Sequence, residues 1–280
     1  MHILIADSGA TKTHWALLHN GTRKNIYTQG LSPYFVNTDQ IITILTKELW
    51  PKVKLEVIDA IYFYGTGCST SANNKIVAKA LLAQYPKAKV AVDHDMMGAA
   101  KGLCHNTKGI ACIIGTGSSA CYYNGTTITK SRTGLGYALG DEGSGSYLGR
   151  MVLQHYLYQT FDADLLYAFE AEYEVTRNDI LQAVYKQPFP QRYMATYTQF
   201  LYNHRGHYMI ENILEDGIND FFFKHIIHFK ESWKQPIHFV GGVANAFKDV
   251  IKMLAAEYNL TLGSIHRRPM DGLVAYYKSK

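Results

Sequence analysis

The sequence predicts a mixed α/β fold made of two similar lobes that face each other across a cleft. Strand patterns alternate with amphipathic helix patterns, which is typical of a mostly parallel or mixed sheet. One device, an apolar strand followed by a Gly/Thr/Ser turn and a second strand, occurs twice and begins at Ile3 and at Ile110. No low-complexity linker separates the halves. A chain of 280 residues is long enough for one large or two medium domains.

The first part alternates short apolar runs with helical periodicity. In the segment 38–50, Ile41, Ile42, Leu45 and Leu49 recur at helical spacing, and Thr38 or Asp39 can cap the helix. The same reasoning predicts strands at 2–6, 14–19, 23–28, 58–64 and 89–92, and helices at 38–50, 73–85 and 95–103.

The pattern restarts at Ile110. The segment 162–234 is rich in aromatic residues and predicts a mainly helical region with an aromatic core. The remaining patterns predict strands at 110–114, 120–123, 126–130, 237–240 and 261–265, and helices at 148–158 and 247–258 before a final helical segment.

Composition excludes several function classes. Hydrophobic residues make up 47% and charged residues 18% of the chain, as in ordinary globular proteins. The net charge of +5 is spread out, and its densest cluster, Arg267-Arg268, is too small for a nucleic-acid partner. No segment approaches the roughly 20 apolar residues of a membrane span, so no membrane partner is expected. The N-terminus enters a strand pattern directly, which predicts a cytoplasmic protein, and its four cysteines are expected to be reduced and buried.

The segment 7–13 joins two predicted strands and is the first candidate phosphate turn. Backbone N–H groups of a glycine turn and Thr hydroxyls are suitable donors to phosphate oxygens. A carboxylate at the strand end can hold Mg²⁺ through water, because magnesium keeps most of its hydration. A plain β-hairpin turn remains an alternative, since Asp, Gly and Thr are common there. The candidate nucleotide and metal ligands of this turn are Asp7, Gly9, Thr11, Lys12 and Thr13.

Two further glycine turns match parts of the dinucleotide fingerprint. The segment 115–120 fits G-x-G-x-x-[G/A] but is followed by a predicted strand instead of a helix, so a phosphate clamp between strands is favoured. The segment 65–70 precedes a helix, and Asp93 lies 26 residues after Gly67, but Thr70 replaces the third glycine. A tight loop is the favoured interpretation there. No G-x-x-x-x-G-K-[ST] run is found.

Two acidic segments are candidates for chemistry. Asp93-His94-Asp95 ends a strand and opens a helix, where a carboxylate could orient a substrate hydroxyl and accept its proton; a helix N-cap is the alternative. The segment 134–145 holds five glycines in twelve residues, which favours close backbone approach to a ligand over a mobile surface loop. The pairs His204/His207 and His225/His228 lack a third metal ligand and are expected to be surface histidines.

Taken in order, these motifs resemble the sugar kinase/Hsp70/actin superfamily over nearly the whole chain. Within it the chain looks like the N-acetylglucosamine kinase branch of the BadF/BadG/BcrA/BcrD ATPase family. The resemblance implies two RNase H-like (actin-like ATPase) lobes, 1–114 with 266–280 and 115–265, the second with a helical insertion. It also implies ATP and Mg²⁺ as cofactors, a small sugar as substrate and a homodimer as the assembly.

The resemblance also implies roles for particular residues. Asp95 matches the catalytic aspartate that deprotonates a sugar hydroxyl, by analogy the one on C6, and it also contacts the sugar. The second phosphate motif and the adenosine motif supply further nucleotide contacts, namely Gly115, Thr116, Gly117, Gly241, Gly242 and Ala244. The remaining implied sugar contacts are Ser118, Ser119, Gly134, Leu135, Gly136 and Asp141.

Three positions depart from the family pattern. Ser8 stands where a glycine is usual, and Leu135 replaces a common Trp. Gly30-Leu31-Ser32 is followed by Pro33-Tyr34 instead of an early Asn, and Asn37 lies slightly too far along. The identity of the amino sugar and of the phosphorylated hydroxyl is therefore open. An ATPase switch acting on a partner protein and a non-catalytic sugar sensor are the alternative functions.

Overall fold

The structure is a computed structural model that describes residues 1–54 and 57–279. The chain divides into two compact units. The first contains Met1–Asn106 and Pro269–Lys280, and the second contains Thr107–Arg268. A strand–turn–strand segment opens the sheet of each unit, as the repeated sequence pattern predicts.

The first unit is built on a five-stranded sheet in the order β3-β2-β1-β4-β5. The first three strands are antiparallel neighbours, and β4 and β5 run parallel to β1. The strands are β1 Ile3–Ser8, β2 Lys12–His19, β3 Thr22–Gln29, β4 Ala60–Gly65 and β5 Lys89–His94. The helices before residue 106 are α1 Thr38–Ile44, continued by a π-helical turn Leu45–Leu49, α2 Trp50–Val53, α3 Ser71–Gln84 and α4 Asp95–Cys104.

The C-terminal helix, Met270–Lys278, packs closely against α4. A Cβ atom on Gly272 would lie only 1.9 Å from the carbonyl oxygen of Gly102, so the two helix backbones meet where neither residue can carry a side chain. Tyr64 on β4 reaches Tyr277 on the C-terminal helix through a hydrogen bond between their hydroxyl groups. These contacts fix α4, whose first residue is Asp95.

The second unit repeats the plan of the first, with strand order β10-β9-β6-β7-β8. Here β6, β7 and β8 are antiparallel neighbours, and β9 and β10 run parallel to β6. The strands are β6 Gly109–Ile114, β7 Ser118–Tyr123, β8 Ile128–Thr133, β9 Ile237–Val240 and β10 Leu262–His266. Because both sheets share the order and strand directions expected of actin-like ATPase lobes, the predicted fold class is confirmed.

Helices cover most of the segment between β8 and β9, as predicted. Its core is aromatic, with the rings of Phe169 and Phe200 edge to face at a centroid distance of 5.4 Å. The helices are α5 Gly145–Leu157, α6 Ala163–Glu172, α7 Arg177–Tyr185, α8 Pro190–Thr196, α9 Thr198–Asn203 and α10 Tyr208–Phe221 with a π-helical turn Phe222–Ile226; a 3₁₀ turn Lys230–Trp233 follows, and after β9 come α11 Gly242–Ala246 and α12 Lys248–Glu257.

Several element boundaries differ from the sequence prediction. The β1–β2 ladder extends to the pair Ser8 and Thr13, so only Gly9–Thr11 remain as the turn. Helix α5 starts at Gly145 instead of 148, because the Ser144 side chain caps it by accepting a hydrogen bond from Tyr147 N. The predicted first lobe includes β6, whereas β6 pairs with β7 and β9 in the second sheet. Among the described residues, no helix is both long and apolar enough to cross a membrane.

Gly149→Ala is expected to destabilise the second unit. A Cβ atom at this position of α5 would lie 1.8 Å from the backbone carbonyl oxygen of Met194. Overpacking of this kind costs about 1–3 kcal/mol of unfolding free energy, and α8 must shift to relieve it. The measurement is the chemical-denaturation midpoint of the protein without ligand.

The matched control is Gly242→Ala, because no heavy atom lies within 4 Å of a Cβ at Gly242, a helical position. Alanine is favoured over glycine in a helix by up to about 1 kcal/mol, so this variant should be at least as stable as the parent. Equal stability of Gly149→Ala and the parent would contradict the close packing of α5 on α8.

Candidate functional site

The β1–β2 turn of the first unit is held by its own polar groups. Gly9 N donates to the carbonyl oxygen of Lys12 at 3.0 Å, and the hydroxyl groups of Ser8 and Thr13 are 2.8 Å apart. Thr13 also donates to the carbonyl oxygen of Gln29 at 3.0 Å. Ser8, which replaces the usual glycine, therefore helps to fix the turn. The Thr13 hydroxyl is likewise used in hydrogen bonds that hold the turn in place.

The other predicted ligands of this turn point in different directions. The Lys12 ammonium lies over the ring of Tyr27, 3.9 Å from its centroid. Thr11 is exposed, and its carbonyl oxygen accepts from Gly30 N at 2.9 Å. A Cβ at Gly30 would clash with the Ala10 backbone at 2.4 Å, so the chain after β3 closes directly over the turn. The turn is thus a rigid platform of backbone groups.

Asp7, at the end of β1, and Asp95, at the start of α4, form an electrostatically coupled pair. Burial, and to a smaller extent the negative charge of Asp95, together raise the pKa of Asp7 to about 7. Two carboxylates of this kind are stabilised by a divalent cation between or beside them. One or two carboxylates with water and phosphate oxygens are the usual magnesium ligands, so the residues present fit Mg²⁺. Among the described residues, no group of three or more His, Cys, Asp or Glu side chains could hold a metal alone.

Asp95 is held in place by Thr66. Its Oδ2 accepts a hydrogen bond from the Thr66 hydroxyl at 2.8 Å, and its Oδ1 accepts from Met96 N at 2.9 Å. The backbone N of Thr66 donates to the carbonyl oxygen of Ser8 at 2.9 Å. Thr66 therefore joins the end of β1 to the predicted catalytic carboxylate. Sequence reasoning missed this role, although Thr66 lies in the 65–70 segment that was interpreted as a tight loop.

The helix-capping alternative for Asp93 or Asp95 is wrong in detail. The residue that caps α4 is His94, whose Nδ1 accepts from Met97 N at 3.3 Å. Asp93 instead accepts from His94 N at 2.8 Å. Capping by histidine leaves the Asp95 carboxylate at the first helical position, where it contacts Thr66.

In the second unit, two of the predicted nucleotide turns meet. Gly241 has φ +137°, and a Cβ there would lie 2.0 Å from the carbonyl oxygen of Ile114 and 3.1 Å from Gly115 N. Only glycine allows this approach of the β9 end to the β6 end. The carbonyl oxygens of Gly115 and Thr116 accept from Gly145 N and Ser146 N at 2.8 and 3.0 Å, which joins the turn to the start of α5.

Beside these turns lies a cavity of about 790 Å³, within the size range of small-molecule sites. Gly115, Thr116 and Gly242 line it, as do side chains that the sequence did not single out, including Thr198, Gln199, Tyr202, Asn245, Lys248 and Arg267. The side chain of Ala244, by contrast, is fully buried in the hydrophobic core. The residues on α9 were missed because nothing in their local sequence distinguishes them from the other helices of this region.

The predicted sugar loop is tied to the second phosphate turn by Asp141. Asp141 has φ +56°, and its carboxylate accepts hydrogen bonds from the backbone N–H groups of Ser118 and Gly136, while burial raises its pKa. A Cβ on Gly134 would lie 2.3 Å from this carboxylate, and one on Gly117 2.9 Å. Asp141 therefore also has a structural role: it holds the loop and the turn together.

The other predicted sugar contacts differ in their exposure and in their hydrogen bonds. The hydroxyl of Ser119 accepts from Gly134 N at 3.3 Å, and Leu135 is 70% exposed. The Ser118 hydroxyl is buried and has no hydrogen-bond partner within residues 1–54 and 57–279. A buried hydroxyl without a partner is costly, so it is available to a ligand group. The structure thus brings together all predicted sugar contacts except Asp95 in one part of the second unit.

The histidine pairs serve the fold. His204 and His207 lie 2.5 and 3.0 Å from the carboxylates of Glu172 and Asp162. His225 is not a surface residue as predicted but is buried, with its Nε2 3.0 Å from Glu142. Glu142 directly follows Asp141, so this contact anchors the same loop to the π-helical turn after α10.

Comparison with known proteins identifies the family. No protein-family model matches the chain, and none of the curated proteins matches it significantly. Among solved structures, a putative N-acetylglucosamine kinase from Porphyromonas gingivalis is 36% identical, covers 99% of both chains and superimposes with a TM-score of 0.94. The chain belongs to the sugar kinases of the actin-like ATPase superfamily. The predicted enzyme class, an ATP-dependent sugar kinase, is confirmed at the level of this family.

More distant structures share the fold of this kinase. A putative N-acetylglucosamine kinase from Chromobacterium violaceum is 16% identical over 98% of both chains, with a TM-score of 0.74. A ROK-family glucokinase from Streptomyces griseus, solved with glucose and AMPPNP, is 12% identical over 99% of this chain and 98% of its own, with a TM-score of 0.56. At these identities the likeness concerns the fold alone. Membership of the narrower BadF/BadG/BcrA/BcrD family stays a prediction.

The coupled carboxylates predict a pH-dependent stability for the ligand-free kinase. Because the pKa of Asp7 is about 7 in the folded state and near 3.8 when unfolded, the folded state binds the extra proton between these values. The free energy of unfolding should therefore fall as pH rises from about 4 to about 7 and level off above. Asp7→Asn, which mimics the protonated group, should remove this contribution and be more stable than the parent at pH 8.

The test is denaturant unfolding from pH 4 to pH 8 without divalent cations. Asp93→Asn is the matched control, since it removes a carboxylate that is not coupled to Asp7 and should keep the slope. Identical pH profiles for the parent and Asp7→Asn would contradict the raised pKa.

Proposed function

We propose that this kinase transfers the γ-phosphoryl group of MgATP to a hydroxyl group of an amino sugar, with the C6 hydroxyl of N-acetylglucosamine as the favoured acceptor. The observation that carries the proposal is the arrangement of Asp95, oriented by Thr66 and coupled to Asp7, at the end of the β1–β2 turn. The name of the Porphyromonas gingivalis relative supports the choice of sugar.

The nucleotide would occupy the cavity of the second unit. Gly115, Thr116 and Gly242 line that cavity, and their backbone can approach a nucleotide closely because nothing lies within 4 Å of a Cβ on Gly115 or Gly242. In the first unit the β1–β2 turn would contact phosphate oxygens, and Asp7 would hold Mg²⁺ through water. Bound Mg²⁺ neutralises charge on the phosphates during transfer.

Asp95 would act as the base. The hydrogen bond from Thr66 occupies one side of Oδ2 and fixes the plane of the carboxylate, which leaves the remaining lone pairs for the acceptor hydroxyl. Phosphoryl transfer has a loose transition state, so orienting that hydroxyl matters more than base strength. As the oxygen attacks phosphorus, the bond to the bridging oxygen of ADP breaks, and the hydroxyl proton moves to Asp95.

The sugar would be recognised by the loop that Asp141 organises, together with Ser118 and Ser119. The Asn37 side chain is already engaged at the start of α1, where its oxygen accepts from Gln40 N at 3.0 Å as the helix cap. The residue near the site is Tyr34, whose ring would lie 3.0 Å from a Cβ on Gly67, next to Thr66.

The proposed function is tested by ADP release in a coupled assay with N-acetylglucosamine, glucosamine, N-acetylmuramic acid, N-acetylmannosamine and glucose. We expect ADP release that depends on sugar, with the highest kcat/KM for N-acetylglucosamine and a phosphate on C6 by NMR. ATP turnover that ignores sugar would support an ATPase switch instead. Sugar binding without ADP release would support a sensor.

Asp95→Asn is expected to lower kcat by roughly 10²- to 10⁴-fold, the usual effect of losing a positioned base. The affinity for ATP, measured without sugar, should stay nearly unchanged. The control is Asp93→Asn, which removes a carboxylate two residues away whose contacts are with His94 and which should keep most of the activity. Sugar phosphorylation by Asp95→Asn at the parent rate would rule out its role.

A further inference from the structure

Glu142 follows Asp141 in the loop 134–145, and the proposed function gives it no role although it is only 9% exposed. We propose that His225 is a positioning residue for sugar binding: it holds the Glu142 carboxylate and thereby fixes the neighbouring Asp141 in the conformation that binds the sugar. This inference rests on the proposed function, because it takes the loop to be the sugar site. It differs from a purely structural anchor by predicting an effect on the affinity for sugar and not on the affinity for nucleotide.

Two neighbouring side chains hold the two oxygens of the Glu142 carboxylate. Oε2 lies 3.0 Å from Nε2 of His225, and Oε1 lies 3.5 Å from the Lys224 ammonium group. Burial raises the pKa of Glu142, but the hydrogen bond with His225, a backbone hydrogen bond and the positive charge of Lys224 outweigh burial, so this pKa lies below its ordinary value. Glu142 is therefore a nearly buried anion, held by side chains of the π-helical turn after α10.

The imidazole ring of His225 is oriented toward Glu142 by its packing. The ring stacks on Phe221, with the ring centroids 4.9 Å apart and 24° between the ring planes. The Nδ1 atom of His225 is buried and has no hydrogen-bond partner within residues 1–54 and 57–279. Because a buried N–H group without an acceptor is costly, the proton of the neutral ring belongs on Nε2, the atom that contacts Glu142. His225 therefore donates to Glu142.

Asp141 depends on this contact because of its backbone conformation. Its φ of +56° lies in the left-handed region, which is uncommon for residues other than glycine and persists where the surroundings fix it. On the other side of Glu142, a Cβ on Gly143 would lie 3.0 Å from the Cβ of Phe221, so the loop packs directly on α10. Without the hydrogen bond from His225, we expect Glu142 to turn toward solvent and Asp141 to relax, so that its carboxylate leaves the backbone donors that orient it.

Two amide substitutions separate the hydrogen bond of His225 from the rest of its side chain. In His225→Gln the amide nitrogen takes about the place of Nε2 and can still donate to Glu142. In His225→Asn the side chain is shorter by one methylene group, so its amide takes about the place of Nδ1 and does not reach the carboxylate. The two variants carry the same functional group and differ in its reach, which makes them a matched pair.

The experiment measures the dissociation constant of N-acetylglucosamine by calorimetry in the presence of ADP, and kcat at saturating sugar and ATP. His225→Asn should weaken sugar binding by about 10-fold, the effect of losing a hydrogen bond to a charged group, whereas His225→Gln should stay within about threefold of the parent. The value of kcat should stay close to that of the parent, because Asp95 is unchanged.

The affinity for ADP without sugar is the internal control. Neither His225 nor Glu142 lines the cavity assigned to the nucleotide, so both variants should bind ADP within about twofold of the parent. This measurement also shows that the second unit of each variant is folded.

Lys224→Gln is a second test that leaves the buried ring in place, since the Lys224 side chain is 44% exposed. Its ion pair with Glu142 is long and partly exposed, so its loss should weaken sugar binding by about threefold. If His225→Asn does not fold, Lys224→Gln decides: weaker sugar binding supports the proposal, and unchanged sugar binding overturns it.

The outcomes distinguish this role from the proposed function. Equal sugar affinities of His225→Asn and His225→Gln, or weakening of ADP by the same factor as sugar, would overturn the positioning role while sugar-dependent ADP release by the parent still stands. Failure of the parent to release ADP with any sugar would overturn the proposed function, and this inference with it.

Discussion

The hydrogen bond from Thr66 to Asp95 is the interaction on which the orientation of the proposed catalytic carboxylate depends. Thr66 also donates its backbone N–H to Ser8 at the end of β1, so one residue sets the carboxylate relative to the β1–β2 turn. Asp7 at that strand end and Asp95 at the helix start belong to different elements. Burial raises the pKa of Asp7, and the negative charge of Asp95 raises it in the same direction. A buried carboxylate near a second negative charge favours a cation beside it, as the proposed binding of MgATP requires.

The second unit is also constrained, but there the constraint is that certain positions must be glycine. Gly241 touches the end of β6, and Gly134 and Gly117 lie against the carboxylate of Asp141. In each case a methyl group would collide with backbone or with a carboxylate. These close approaches bring the predicted second phosphate turn, adenosine turn and sugar loop of this unit together. They explain why a segment with five glycines persists beside a well-packed aromatic core.

Much of the fold could be predicted because apolar periodicity is a local property. The strands that contain Ile3 and Ile110 and the helix that carries Ile41 and Leu45 follow from spacing alone. The boundaries were less accurate where non-local bonds decide them. The Ser8–Thr13 pair lengthens the first hairpin, and the assignment of β6 to the second sheet depends on pairing with β9, more than a hundred residues later.

The sequence by itself determined the alternation of strands and helices, the repeated strand–turn–strand device and the glycine turns, because these depend on neighbouring residues. It also singled out Asp7, Asp95 and Asp141 as candidates. Tertiary structure alone decided what these groups contact. Thr66 donates to Asp95, and the backbone N–H groups of Ser118 and Gly136 donate to Asp141. It also decided that side chains of α9 line the cavity together with Arg267. The physical reason is that hydrogen bonds, buried charges and cavities arise between residues far apart in the chain, whose distances no local pattern encodes.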